Sequence, residues 1–146
     1  MHNLYTVLPL TLEQKFVYLR LIGRLVCADS ISNLIEKKYI QDLMRRFQFS
    51  VDDIKNISVY SPSDELKTVL QPIQGRKMAL DLLHCLWFVA SIDDNIADHE
   101  ITIIRQTANI LGINENEVLK LNGFVQDEIA FLRQAQEVLS AEKLAY

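Results

Sequence analysis

Acidic residues and one histidine are concentrated in an eleven-residue stretch that reads ASIDDNIADHE. Carboxylate oxygens that converge on one point suit calcium, magnesium or manganese, and a histidine would shift that preference toward a transition metal. If the chain binds a divalent cation, this pattern predicts Asp94 and Glu100 as the leading ligands. Asp93 and Asp98 would complete the set, whereas His99 is expected to be a solvated side chain.

The same residues also fit a polar turn between two helices that holds no metal. Asp94-Asn95 is a favourable turn pair, Asp98 is a good helix N-cap, and the helix dipole favours Glu100 in the first turn. An EF-hand is excluded: counting Asp93 as position one puts an aspartate where a glycine is required and an isoleucine where the bidentate glutamate belongs. The sequence thus predicts either a divalent cation or no cofactor.

Apolar residues elsewhere recur at intervals of three and four, which predicts an all-α fold, a compact bundle of about seven or eight helices. Thr11 and Gln14 fit a capping box at the start of the first helix. Gly112 is expected to end a later helix and Asn114 to cap the next one. Gly123 is expected to interrupt that short helix before the final one.

The chain also repeats at the level of pattern when it is shifted by 64 residues, because apolar positions, caps and acidic residues then coincide. This predicts a single domain, residues 1–146, built from two pseudo-symmetric repeats at about 11–58 and 76–121. The C-terminal helix is expected at about 124–143, with Val138 among its apolar positions.

Residues 90–121, ASIDDNIADHEITIIRQTANILGINENEVLKL, resemble the TerB-like tellurite-resistance family. The shared pattern is a long apolar helix, Ala-x-x-Asp-Gly-x-small-x-x-Glu, and a helix ending in Leu-Gly-Ile. The same fold occurs in the N-terminal region of a membrane-anchored J-domain co-chaperone. The resemblance implies an internally repeated helical bundle, an acidic surface proposed to bind divalent metal, and a stress-response role near the membrane. The family's acidic pair falls on Asp94 and Glu100, and in the first repeat on Asp29 and Glu36.

The long apolar helix that precedes the acidic stretch carries other polar residues. Asp81 and His84 are three residues apart, a spacing that metal sites use, but no Glu-x-x-His motif exists to complete a di-iron bundle. His84 is therefore expected to be a core or boundary histidine, and Trp87 and Phe88 are expected to pack in the core.

Bulk properties limit the function classes. A net charge of −4 argues against a nucleic-acid binder. No secretory signal is recognisable at the start, and the longest apolar run is too short to cross a bilayer, so direct membrane insertion is not expected. Cys27 and Cys85 lie in apolar helical patterns and are expected to be reduced, buried thiols of a cytoplasmic protein. Contact with the inner membrane would then be peripheral and through partners.

Two functional hypotheses follow, and the oligomeric state is left open by the sequence. The first is a non-catalytic, TerB-like stress-response domain that binds a divalent cation through the acidic stretch. The alternative is a helical protein–protein interaction module, in which the stretch is structural and a groove between the two halves holds a protein partner. An enzyme is not expected, because no nucleophile-and-base motif is recognisable.

Overall fold

The computed structural model describes residues 9–28, 45, 65–91 and 96–144, without the side chains of 26–28 and 141–144. Five helices have described bounds: α1 (Leu12–Ala28), α2 (Leu66–Val69), α3 (Gly75–Ser91), α4 (Asp98–Leu111) and α5 (Glu115–Leu144). These ranges contain helices and no strand, which confirms the all-α prediction. Most of the first predicted repeat lies outside them, so the two-repeat architecture and the count of seven or eight helices stay predictions.

The start of α1 is fixed by the predicted capping box. The Thr11 backbone N–H donates to Gln14 Oε1 at 2.9 Å, and the Gln14 backbone N–H donates to Thr11 Oγ1 at 3.1 Å. These two bonds satisfy donors that the first turn of a helix otherwise leaves unpaired. Gln14 Nε2 also donates to the Pro72 carbonyl oxygen at 3.0 Å, which ties α1 to the turn before α3.

The turn between α4 and α5 also follows local rules. Gly112 adopts the left-handed conformation with φ +76°, and it ends α4 as predicted. Asn114 Oδ1 accepts the Glu117 backbone N–H at 2.9 Å, which confirms Asn114 as the cap of the next helix. The chain therefore reverses within a few residues, and α5 returns along α4 and α3.

The prediction that Gly123 divides the C-terminal region into two helices is wrong, because α5 is one helix of 30 residues. A glycine inside a helix costs only about 1 kcal/mol relative to alanine, which packing can offset. The inward positions Val118, Leu121, Val125 and Ile129 keep helical spacing on both sides of Gly123, so one continuous helix buries them together.

Helix α3 is the centre of the described core and packs against α1, α4 and α5. Every residue from 85 to 91 is buried, which is the pattern of a helix surrounded on all sides. Trp87, Phe88 and Cys85 lie in this run, as predicted; the side chain of Cys27 lies outside the described residues. In the searched ranges, no helix is both long and apolar enough to span a bilayer.

Candidate functional site

The acidic stretch leads into α4, and the first turn of that helix lies within the described residues. Ala97 is the N-cap, with φ −77° and ψ 153°, and its backbone N–H donates to Glu100 Oε1 at 3.0 Å. Glu100 is only 2% exposed. A carboxylate at the third helical position that reaches back to the N-cap N–H is the glutamate half of a capping box.

This arrangement corrects the prediction that Asp98 caps α4. Asp98 is the first residue inside the helix and its side chain is exposed. The boundary lies one residue earlier, because the Glu100 carboxylate reaches the N–H of Ala97 and so fixes that residue as the cap. Alanine itself offers no side-chain acceptor, and the cap depends on Glu100.

Glu100 is placed where a buried carboxylate is tolerated. Removing such a group from water is costly unless it is paired or hydrogen-bonded. Here it accepts a backbone N–H and lies at the positive end of the helix dipole, where negative charge is favoured. The geometry therefore gives Glu100 a structural role at the start of α4.

His99 differs from its predicted solvated state. The residue is half-buried, and its Nε2 atom is shielded from solvent with no hydrogen-bond partner in the described ranges. The prediction that His99 points freely into water is therefore wrong.

The remaining predicted ligands lie outside the described residues: Asp93, Asp94, Asp29 and Glu36. Of the six acids predicted for a metal site, the described ranges thus contain only Asp98 and Glu100. Within those ranges, no three histidine, cysteine, aspartate or glutamate side chains are grouped so that they could hold a metal ion. The described side chains by themselves do not form a cation site, and the predicted site remains a prediction.

A hydrogen bond between α1 and α3 joins two residues that are distant in sequence. The Tyr18 hydroxyl donates to Asp81 Oδ2 at 2.5 Å. Burial raises the pKa of Asp81 to about 6, although the hydrogen bond from Tyr18 acts in the opposite direction. Burial, and then the nearby Asp81 charge, raise the pKa of Tyr18 above its ordinary value.

A second polar pair joins α3 to α5. His84 Nε2 lies 3.5 Å from Glu128 Oε1, and both side chains are almost buried. His84 is therefore a boundary histidine, as predicted. The sequence did not indicate either partner of the α3 residues, Tyr18 or Glu128, because no local spacing relates residues on different helices. Only the packing of α1 and α5 on α3 brings them together.

A row of exposed apolar side chains lies on α5. Its members, which we call the α5 stripe, are more than half exposed: Phe124 (65%), Phe131 (61%), Val138 (58%) and Leu139 (59%). Val138 lies in the last helix, as predicted, and the structure shows that it is exposed. Inward contacts of α5 continue to Leu132, and no residue from 133 to 140 is buried.

A shallow cavity of about 450 Å³ lies on the same surface, lined by Phe131, Gln134, Ala135, Val138 and Leu139. Two smaller cavities, of about 280 and 270 Å³, lie where α4 turns into α5. Ion pairs occur beside these two, between Arg76 and Glu117 and, at 2.7 Å, between Arg105 and Glu115. Of these three cavities, the α5 cavity has the highest proportion of large apolar side chains in its lining.

Comparison with known proteins identifies the family. The family described as Tellurite resistance protein TerB matches residues 21–123, which are 103 of the 146 residues. Comparisons with curated proteins and with solved structures give no match. The matched region covers α2, α3 and α4 and ends just before the first residue of the α5 stripe. The all-helical fold and this match over more than two thirds of the chain show that it belongs to the TerB tellurite-resistance family.

Proposed function

We propose that this chain is a non-catalytic stress-response domain of the tellurite-resistance family that acts by binding another protein through the α5 stripe. The observation that carries the proposal is the exposure of the α5 stripe, whose large apolar side chains lie along one side of one helix. Single exposed apolar residues are ordinary on protein surfaces, whereas a group of them on one surface, such as Phe131, Val138 and Leu139 around one cavity, is typical of an interaction site.

The spacing of the stripe supports a single contact surface. Phe124, Phe131 and Val138 are seven residues apart, which is close to two helical turns, so they lie along one side of α5. Leu139 lies next to Val138 and widens that surface. Exposed phenylalanines are the kind of large, stiff apolar side chain that contributes strongly to protein interfaces.

The test places a photo-crosslinking amino acid at Phe131 in the chain expressed in its host. The matched control carries the same amino acid at Ala130, an exposed neighbour that lies about 100° away around the helix. We expect protein adducts from position 131 that are absent from position 130. Equal adduct patterns at the two positions, or none at either, would refute binding through the stripe.

A growth assay tests the link to stress. Cells that depend on this chain for tellurite tolerance would carry either the parent or Phe131→Glu. The family membership and the exposure of Phe131 together predict reduced tolerance in the variant at equal protein level and equal melting temperature. Full tolerance of Phe131→Glu would separate the stripe from the stress function.

A divalent cation is the second candidate, and the observation that favours it is the exposed carboxylate of Asp98, close in sequence to Asp93 and Asp94. Thermal melts of metal-stripped protein with calcium, magnesium, manganese or zinc test this site. A cation at 100 times its dissociation constant stabilises the native state by about 2.7 kcal/mol. We expect Asp94→Asn to abolish such a shift if the site exists, and no shift in the parent would refute it.

A further inference from the structure

We propose that the hydrogen bond between Tyr18 and Asp81 is a proton-dependent joint between α1 and α3, and that ionisation of Asp81 increases the fraction of molecules in which α1 opens. The joint is separate from the α5 stripe, so this role goes beyond the proposed function. Three features support it: the partners of Asp81, the burial of both side chains and the packing of α3 on its other faces.

The Asp81 carboxylate is held in the fold without a cation. The residue is partly buried, and the hydrogen bond that it makes to a described residue comes from the Tyr18 hydroxyl, at 2.5 Å. No ion pair joins Asp81 to an arginine, lysine or histidine among the described residues. A hydroxyl supplies one hydrogen bond but no opposite charge, and burial disfavours an ionised carboxylate. The protonated carboxyl therefore fits this place better than the carboxylate does.

The carboxyl, and not the phenol, is the group that changes charge at the joint. Tyr18 is only 1% exposed. Burial, and then the nearby Asp81 charge, raise the pKa of the Tyr18 hydroxyl, and a charge on Cys85 acts in the same direction. The hydroxyl therefore remains a neutral donor wherever Asp81 titrates. Burial raises the pKa of Asp81 to about 6, which agrees with a group that lacks a cation.

Basic groups lie near the joint along α3 and α1 without neutralising Asp81. On α3, Lys77 stands four residues before Asp81 and His84 stands three residues after it, so both lie within one helical turn. On α1, Lys15 stands three residues before Tyr18. None of these three side chains forms an ion pair with Asp81. The negative charge of Asp81 is thus left to the single bond from Tyr18.

The other helices that pack on α3 use their charged groups elsewhere. Glu128 of α5 lies 3.5 Å from His84, Arg105 of α4 is paired with Glu115 at 2.7 Å, and Glu100 of α4 caps its own helix. The His84–Glu128 pair is the other group near the joint that can titrate around neutral pH, and it joins α3 to α5. An experiment on the joint must therefore separate Asp81 from His84.

Opening of α1 would hydrate the Asp81 carboxylate while the remaining helices stay packed. Helix α3 packs against α4 and α5 as well as against α1, so its contacts on those faces do not depend on the joint. Proteins commonly open one element at a lower free energy than global unfolding requires. Apolar burial keeps α1 closed in most molecules at any pH, through residues that are fully buried: Val17, Leu21, Ile22 and Leu25.

Proton linkage gives the size of the effect. The pKa of Asp81 is about 6 in the closed state, and in an open, hydrated state it returns to the ordinary value of 3.8. A group whose pKa is raised in the closed state favours that state at low pH, and this contribution is lost as pH rises through about 6. Between about pH 5 and about pH 7.5, the two values predict that the opening constant of α1 rises about tenfold.

Hydrogen exchange of the full chain, followed by mass spectrometry, tests the joint at these two pH values with peptides from α1 and α5 measured separately. Asp81→Asn is the neutral analogue, since its amide oxygen can still accept the Tyr18 hydroxyl. Division by the opening constant of Asp81→Asn at the same pH cancels the titration of His84. Asp98→Asn is the matched control, because it removes an exposed carboxylate outside the joint.

In α1, we expect this ratio to rise about tenfold with pH for the parent and for Asp98→Asn. A ratio that does not change with pH would overturn the proposal. An equal rise in α5 would also overturn it, because the whole fold and not α1 would then be opening.

Tyr18→Phe tests the hydrogen bond itself. The bond lowers the pKa of Asp81, so its loss raises that pKa further and makes ionisation of the closed state more costly. Relative to the same change in an Asp81→Asn background, we expect α1 of Tyr18→Phe to show a larger rise with pH than α1 of the parent. An equal or smaller rise would overturn the proposal.

The thiol of Cys85 supplies an independent readout of opening. It is 1% exposed, it lies one turn after Asp81 on α3, and its effect on the pKa of Tyr18 places it beside α1. In a Cys27→Ser background, the labelling rate of Cys85, divided by the rate in Asp81→Asn, is expected to rise about tenfold over the same pH range. A constant labelling ratio would overturn the proposal.

Discussion

Substitution of Glu100 by alanine tests whether the acidic stretch is a helix start. The carboxylate is buried, and its Oε1 accepts the N–H of Ala97, the N-cap of α4. Loss of a capping side chain typically costs about 0.5–2 kcal/mol, and leaving a buried donor unpaired costs about 1–3 kcal/mol. These contributions overlap, because they describe the same bond. We expect Glu100→Ala to lower the free energy of unfolding by about 1–3 kcal/mol.

Glu100→Gln is the matched variant that separates capping from charge. A glutamine at this position keeps an oxygen within reach of the Ala97 N–H, and capping boxes accept either residue. The variant keeps this cap bond and loses the attraction between the negative charge and the helix dipole, about 0.3–1 kcal/mol. We expect Glu100→Gln to be clearly more stable than Glu100→Ala.

Urea unfolding followed by circular dichroism measures both variants, in buffer that contains a chelator so that no divalent cation contributes. Asp98→Ala is the control, since this exposed aspartate lies in the same first turn and makes no cap bond to Ala97. Its loss is expected to cost less than about 1 kcal/mol. Two results would refute the reasoning: Glu100→Ala as stable as the parent, or Glu100→Gln as unstable as Glu100→Ala.

Three further predictions concern the fold. Gly112→Ala is expected to lower the free energy of unfolding by about 1–2 kcal/mol, because φ is +76° there. Gly123→Ala in the interior of α5 is expected to raise it by about 0.5–1 kcal/mol, since an added Cβ meets nothing within 4 Å. Urea unfolding would show these changes in opposite directions, and changes in the same direction would contradict the reasoning. The folded-state pKa of Asp81, about 6, exceeds the ordinary value of 3.8, so its contribution to stability is present below pH 3.8 and is lost as pH rises toward 6. Asp81→Asn should remove this part of the pH dependence, and an unchanged profile would contradict it. Leu86→Ala in the core is expected to lower the free energy of unfolding by about 2–5 kcal/mol. Ile110 is 39% exposed, so Ile110→Ala is expected to lower it much less. Equal losses of unfolding free energy in chemical denaturation would contradict the assignment of the core.

Local chemistry in the sequence was sufficient for several helix ends. The Thr11–Gln14 capping box, the left-handed Gly112 and the Asn114 cap each depend on residues within four positions of one another. The same local rules failed at Gly123, where a glycine was given more weight than the apolar spacing on either side of it. In a long helix, the summed packing of many inward residues exceeds the cost of one glycine.

The contacts between helices could not be predicted from the sequence. Tyr18 and Asp81 are 63 positions apart, and neither residue has a neighbour that indicates the other. At the acidic stretch, the sequence identified Glu100 but left its role open, because capping and metal binding require the same residue type. Only the burial of Glu100 and its bond to Ala97 favour capping.

Helix length explains why the α5 stripe escaped prediction and why it matters. Periodicity shows that a helix has an apolar face, but it does not show how far the rest of the fold extends along that helix. Helices α1 and α3 have 17 residues and are about 25 Å long, whereas α5 has 30 residues and is about 45 Å long. In the second half of α5, Phe131 and Val138 are more than half exposed although their spacing is regular. The family match ends at residue 123, one residue before the first member of the α5 stripe. How much of a helix's apolar face is buried depends on what other elements pack along it, and the spacing of residues within the helix carries no information about that length.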